Sequence, residues 1–183
     1  MASTISAGTT SGTAIAITGD TTGNLAFTTQ AGTYTQTLPN ATGTVMVSGN
    51  MPAFSAYLSS NQSVSNSTNT KVTFDTEEFD TNNNFASNRF TPTVAGYYQI
   101  NAGIVFASTV TYAQIFIYKN GASYKYVYSQ SAASNYSQNI SSIVYCNGST
   151  DYIEIYGYIA AGTPRFNAGS DNTWVNGSLV RAA

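Results

Sequence analysis

From Pro52 onward, apolar and polar residues alternate in short runs separated by turn residues, the pattern of strands with one buried face. The runs are Ala53–Leu58, Lys71–Phe74, Gly96–Phe106, Ala113–Tyr118, Tyr124–Tyr128, Asn139–Cys146, Tyr152–Tyr158 and Thr173–Val180. Asn120-Gly121 and Asn147-Gly148 each stand between two runs, and because both residue types tolerate positive φ, each predicts a hairpin. Gly162-Thr163-Pro164 marks a further loop. Strands at this spacing, with no helical period among them, predict an all-β fold: an antiparallel two-sheet jelly roll over residues 52–183.

Residues 1–51 follow another pattern. They are mostly Gly, Thr, Ser and Ala, with Asp20 as the one charged residue, and with apolar patches at Ala14–Ile17, Leu25–Phe27 and Val45–Val47. Leu25 and Phe27 alternate with Asn24, Ala26 and Thr28, as Val45 and Val47 do with Thr44, Met46 and Ser48. Gly19-Asp20, Gly23-Asn24, Pro39-Asn40 and Ser48-Gly49-Asn50 supply turns. Such a stretch buries too little area to fold alone, yet it lacks the net charge of a disordered tail. It is expected to be an extended strand-forming arm that orders against copies of itself or another surface. Leu25, Phe27, Leu38, Val45 and Val47 are its attachment residues; a flexible linker is the alternative.

Composition narrows the function. Only 8% of residues are charged, against ~25% in an ordinary soluble domain. Ser, Thr, Asn and Gly must therefore make the polar surface. Six Lys and Arg against eight Asp and Glu give a net charge of −2, which offers no basic field for nucleic acid or anionic lipid. With no histidine, serine and cysteine triads and the commonest zinc ligand disappear together. Cys146, the single cysteine, sits in an apolar run and reads as a buried thiol that cannot form an internal disulfide. No run of ~18 apolar residues occurs, and Met1-Ala2-Ser3-Thr4 lacks the start of a secretion signal, so synthesis in a cytoplasm is expected.

The acidic cluster Asp75, Glu77, Glu78 and Asp80 offers oxygens to a hard cation, but no Gly-bracketed ligand loop surrounds it, and a solvated rim is the expected role. Its carboxylates share one short loop, with Asp151 and Glu154 elsewhere, which does not suit the two flanking acids of a glycosidase. No enzyme activity, metal or cofactor is expected. Asn66-Ser67-Thr68, Asn135-Tyr136-Ser137 and Asn147-Gly148-Ser149 match the glycosylation triplet and read as polar loops.

Two resemblances follow from particular residues. Thr37-Leu38-Pro39-Asn40-Ala41-Thr42-Gly43-Thr44-Val45, after Gly19-Asp20-Thr21-Thr22-Gly23-Asn24-Leu25, resembles the segments that precede the tips of bacteriophage fibre and virion-surface proteins. The region from Ala53 to Val180 resembles the globular head of complement-type proteins, a tumour-necrosis-factor-like jelly roll. Ala53–Leu58 is similar to its first strand and Lys71–Asp75 to its next segment. Arg89-Phe90-Thr91-Pro92, then Gly96-Tyr97-Tyr98, is similar to its signature. Tyr118-Lys119-Asn120-Gly121 is similar to its Lys-Asn-Gly hairpin, and Asn176-Gly177-Ser178-Leu179-Val180 to its closing strand. The Gly148-Ser149-Thr150-Asp151 loop is longer by about two residues than the Gly-Asp turn of the family, and no collagen repeat precedes the head.

The resemblance implies a homotrimer, so alternation can be asked which side chains face the neighbours. Ile153 and Ile155 suit the core, which turns Tyr152, Glu154, Tyr156 and Tyr158 outward; Tyr98 and Ile100 likewise leave Tyr97, Gln99 and Asn101 outward. Both sets are expected to pack about a threefold axis, with wet sheet faces as the alternative. The function expected from sequence is a non-enzymatic trimeric structural protein on a bacteriophage virion surface. The short arm favours a capsid decoration or cement protein that contacts capsid proteins. The alternatives are a tail-fibre or head-fibre tip that binds a host-surface glycan, and a secreted complement-like or cytokine-like module.

Overall fold

Alternating burial is the rule along the strands of the head, because each strand presents one side chain in two to a shared interior. The computed structural model describes residues 51–130 and 134–183, which form twelve strands. These are β1 (Ala53–Tyr57), β2 (Gln62–Ser63), β3 (Thr70–Lys71), β4 (Thr76–Asp80), β5 (Phe85–Ala86), β6 (Arg89–Phe90) and β7 (Gly96–Lys119), followed by β8 (Ala122–Ser129), β9 (Ser134–Cys146), β10 (Ile153–Ala161), β11 (Arg165–Phe166) and β12 (Trp174–Ala182). All pairings are antiparallel. The first sheet runs β4, β1, β12, the first half of β7, then β9, and β11 and β2 extend it. The second runs β5, β6, β10, the second half of β7, then β8, with β3 beside β10.

The sequence predicts separate strands at Gly96–Phe106 and Ala113–Tyr118; the structure joins them in one strand of 24 residues. No Gly or Pro lies between Ala107 and Tyr112, so nothing forces a loop. The chain bends instead at Ser108, whose φ is +76°. Register shifts on both sides, between Phe106 and Thr109 against β9 and between Ala160 and Ala161 against β10, let the strand leave one sheet and enter the other.

The two predicted hairpins part company. Asn120 and Gly121 have φ of 53° and 78° and close the β7–β8 hairpin. Asn147-Gly148 turns the chain but makes no hairpin, since β9 pairs in the first sheet and β10 in the second. The Asn147 side-chain oxygen accepts the backbone N–H groups of Ser149, Thr150 and Asp151 at 3.0, 2.9 and 3.0 Å, which suffices to build the turn without strand pairing. The Lys71–Phe74 run forms only the short β3, although Val72 still donates to the Ile155 carbonyl at 2.9 Å.

The interior between the sheets is aromatic. Phe54 stacks on Phe85 at 5.1 Å and on Phe90 at 4.3 Å, and Phe90 meets Tyr98 edge-on at 5.3 Å. Tyr98 is fully buried, and its hydroxyl donates to the Val94 carbonyl at 2.7 Å, so the one polar atom of this ring has its partner. Cys146 is buried in the same core. Burial pushes its thiol up to about 11, with Lys119 opposing and Asp151 adding to the shift. The native protein is therefore expected to leave a thiol reagent unreacted at neutral pH and to titrate one equivalent after denaturation; rapid native labelling would contradict this placement.

Candidate functional site

The outward residues expected to share one surface fall on opposite sheets. On the first sheet, Tyr97, Gln99 and Asn101 project away from the core and stand in register with Tyr145, Ile143 and Ser141 of β9. Tyr97 and Tyr145 lie 5.4 Å apart, and Ile143 is 52% exposed. Beside them runs an amide row. Gln99 Nε2 donates to Ser141 Oγ at 2.7 Å, Ser141 donates to Asn101 Oδ1 at 2.9 Å, and Asn101 Nδ2 donates to Asn176 Oδ1 at 3.0 Å. Next to the row, Asn101, Asn139, Ile140, Ser141, Asn176 and the single tryptophan, Trp174, line an open hollow of about 330 Å³. Gly103 makes room for it, since a Cβ there would stand 2.8 Å from the indole nitrogen.

Glu154, Tyr156 and Tyr158 belong to β10 of the second sheet, and Tyr152 immediately precedes it. Glu154 is buried, and its carboxylate accepts Lys71 Nζ at 2.7 Å with Arg89 Nε at 3.7 Å, which makes it a fastener between β10, β3 and β6. Arg89 lies over the Tyr152 ring at 4.5 Å. Tyr156 stacks on Tyr118 with centroids 4.0 Å apart, and Tyr158 stands edge-on to Tyr112 at 5.5 Å. Burial, then the Glu154 carboxylate, holds the Tyr156 phenol above its ordinary range. The tyrosines that alternation turned outward are thus covered in part by each other.

The same face carries further aromatic residues beyond those expected at the axis. Tyr126 and Tyr128 of β8 are 57% and 60% exposed on the outer side, and Phe116 lies between Tyr118 and Tyr126. The signal was present in the spacing of Tyr124, Tyr126 and Tyr128, which puts alternate tyrosines on one face.

The acidic cluster turns out to be edge strand β4 and its flanks. Asp75 accepts from the Ser59 N–H and hydroxyl at 2.6 and 2.9 Å, Asp80 accepts the Phe85 N–H at 2.6 Å, and Glu78 accepts the Ser55 hydroxyl at 2.7 Å. Burial raises the Asp75 carboxyl, but the Ser59 donors outweigh it and hold the group below its ordinary value. These oxygens serve turns and strand pairing. Among the described residues no group of three or more His, Cys, Asp and Glu could hold a metal, and no helix is long and apolar enough to cross a membrane. The three glycosylation triplets likewise have engaged asparagines: Asn66 accepts from Ala161, Asn135 from Asn167, and Asn147 from its own turn. Leu25, Phe27, Leu38, Val45 and Val47 lie outside the described residues.

No protein-family profile matches the sequence, and no curated protein does. Solved structures do match the head. Murine APRIL aligns with a TM-score of 0.56 at 10% identity over 71% of this chain and 99% of its own. The globular domain of zebrafish complement 1qA protein gives 0.55 at 16% identity over 72% and 98%. The Eiger TNF of S. frugiperda gives 0.56 at 9% identity over 73% and 93%. The head therefore has the jelly-roll fold of tumour-necrosis-factor-like and complement-head domains, as the resemblance implied.

Proposed function

We propose that the chain is a non-enzymatic, self-associating binding module, built as a homotrimer, whose residues 1–51 attach it to a larger particle. The observation that carries this reading is the exposed apolar patch of Tyr97, Ile143 and Tyr145 beside the amide row on the first sheet. A patch of rings and an aliphatic side chain rimmed by amides has the character of an interface centre with a polar rim. Of the two outward sets expected at the axis, Tyr97, Gln99 and Asn101 are the ones assigned to it. Tyr152, Glu154, Tyr156 and Tyr158 are left facing away.

The particle that fits best is a bacteriophage virion, with the chain as a capsid decoration or cement protein. The support is the charge-poor, strand-prone composition of residues 1–51 and their resemblance to segments of virion-surface proteins. Backbone pairing is the main interaction available to such a segment. A fibre tip and a secreted cytokine-like module share the same head and differ in what the first 51 residues do. Deleting residues 1–51 is expected to leave a folded trimer that no longer co-sediments with particles lacking this protein, whereas residues 1–51 fused to another trimeric domain are expected to co-sediment. Binding by the head alone would transfer the contact to the jelly roll.

A further inference from the structure

Across the outer face of the second sheet, register lines up aromatic side chains in rows. Tyr158 of β10 faces Gln114 of β7, which faces Tyr128 of β8; two residues along, Tyr156 faces Phe116, which faces Tyr126. Tyr112 closes one end, 6.1 Å from Tyr128 and 5.5 Å from Tyr158, and Tyr118 closes the other against Tyr156. Only the Tyr118 hydroxyl in this array accepts a hydrogen bond from a described side chain, Asn69 Nδ2 at 3.1 Å. The array is wettest at Tyr126 and Tyr128, and carries hydroxyls and one amide, that of Gln114, at its centre. The charges lie at its border: Lys71 bonds Glu154 at 2.7 Å, Arg89 stands 3.7 Å from the same carboxylate and over the Tyr152 ring, and Lys125 of β8 lies by the Tyr124 ring.

We infer that this tyrosine face binds a neutral oligosaccharide chain. The inference rests on the reading of the molecule as a binding module and names the partner of the sheet left facing away from the proposed trimer axis. A sugar ring offers an apolar C–H face to an aromatic ring and hydroxyls at its edge. A row of tyrosines answers both, the rings by stacking and the phenols, with Gln114, by hydrogen bonding. Charge complementarity selects among occupants. An unpaired acidic ligand such as a nucleic acid or a sulfated glycan needs cations, and the centre of this face has none. A protein partner held by salt bridges finds none there either.

The test is affinity electrophoresis of the full chain through gels containing hydroxyethyl cellulose, galactomannan or dextran, with alginate as the anionic comparison. Retardation in at least one neutral polysaccharide is expected. It should weaken by at least about tenfold in a Tyr126→Ala/Tyr128→Ala variant, the scale of losing two aromatic contacts. A Tyr126→Phe/Tyr128→Phe variant, which keeps the rings, should retain more binding than the alanine pair. Retardation by alginate alone, by no polysaccharide, or undiminished in the alanine variant would overturn the assignment. Sedimentation velocity on the same samples separates this from the trimer: a trimer that binds no neutral polysaccharide loses only the sugar, while loss of the assembly in the alanine variant would make the face a contact between copies and would also overturn the assignment.

Discussion

Replacing Asp151 by alanine should lower the stability of the head by about 3 kcal/mol, the cost of removing a buried carboxylate that accepts from three partners. Asp151 Oδ1 accepts Asn120 Nδ2 at 2.7 Å, and Oδ2 accepts the Asn147 N–H at 3.1 Å and Lys119 Nζ at 2.9 Å. One side chain thus ties the β7–β8 turn to the β9–β10 turn, that is, the second sheet to the crossing from the first. The bond from Asn120, then Lys119, holds the carboxyl below its ordinary value despite burial. A depressed value in the folded state means the carboxylate stabilises the head above the ordinary carboxylate range, and this contribution fades as pH falls through the folded value. Urea midpoints should therefore drop sharply for Asp151→Ala at pH 7. Asp151→Asn should lose less there and should flatten the acid limb of the stability profile. An alanine variant within 0.5 kcal/mol of the parent, a margin typical of uninvolved surface positions, would show the tie to be ornamental.

The second large effect concerns assembly. Tyr97→Asp replaces the ring that meets Tyr145, centroids 5.4 Å apart, with a carboxylate at the centre of the proposed trimer contact. Burying three uncompensated charges costs several kcal/mol each, so the trimer should give way to folded monomer at micromolar concentration. Tyr156→Asp, on the opposite sheet, should leave the trimer intact although it disturbs the stack on Tyr118. Sedimentation velocity distinguishes the cases. The reverse pattern, with Tyr156→Asp dissociating and Tyr97→Asp trimeric, would move the axis to the second sheet.

How far these expectations were legible in the sequence differs from residue to residue. Period-two alternation put Tyr98, Ile100, Ile153 and Ile155 inside correctly, because inward and outward are local properties of a strand. It could not say that Tyr97 and Tyr156 look in opposite directions, since that depends on which sheet each strand joins. The Asn120-Gly121 hairpin was readable because its two strands pair with each other; Asn147-Gly148 carries the same local signal, and only distant partners decide that its strands separate. The run Ala107–Tyr112 hid the continuity of β7 because Ser108, Thr109 and Thr111 interrupt the apolar alternation, which then looks like a gap between strands. Alternation alone could not show that Glu154 is buried, because Lys71 and Arg89, which pair with it, are far away in sequence.

The continuity of β7 also sets how the head carries force. A pull applied at Met51 enters along β1, which holds β12 through the register Ala53 to Ser178 and Tyr57 to Trp174. β12 in turn holds the first half of β7. Beyond Ser108 the load passes into the second sheet through covalent backbone, not through side chains packed between layers. Tension along this path loads the cross-strand hydrogen bonds of β1, β12 and β7 in turn, and the two sheets stay tethered by the covalent backbone of β7. The first pairing to bear that load is the five-residue strand β1, nearest the point of loading.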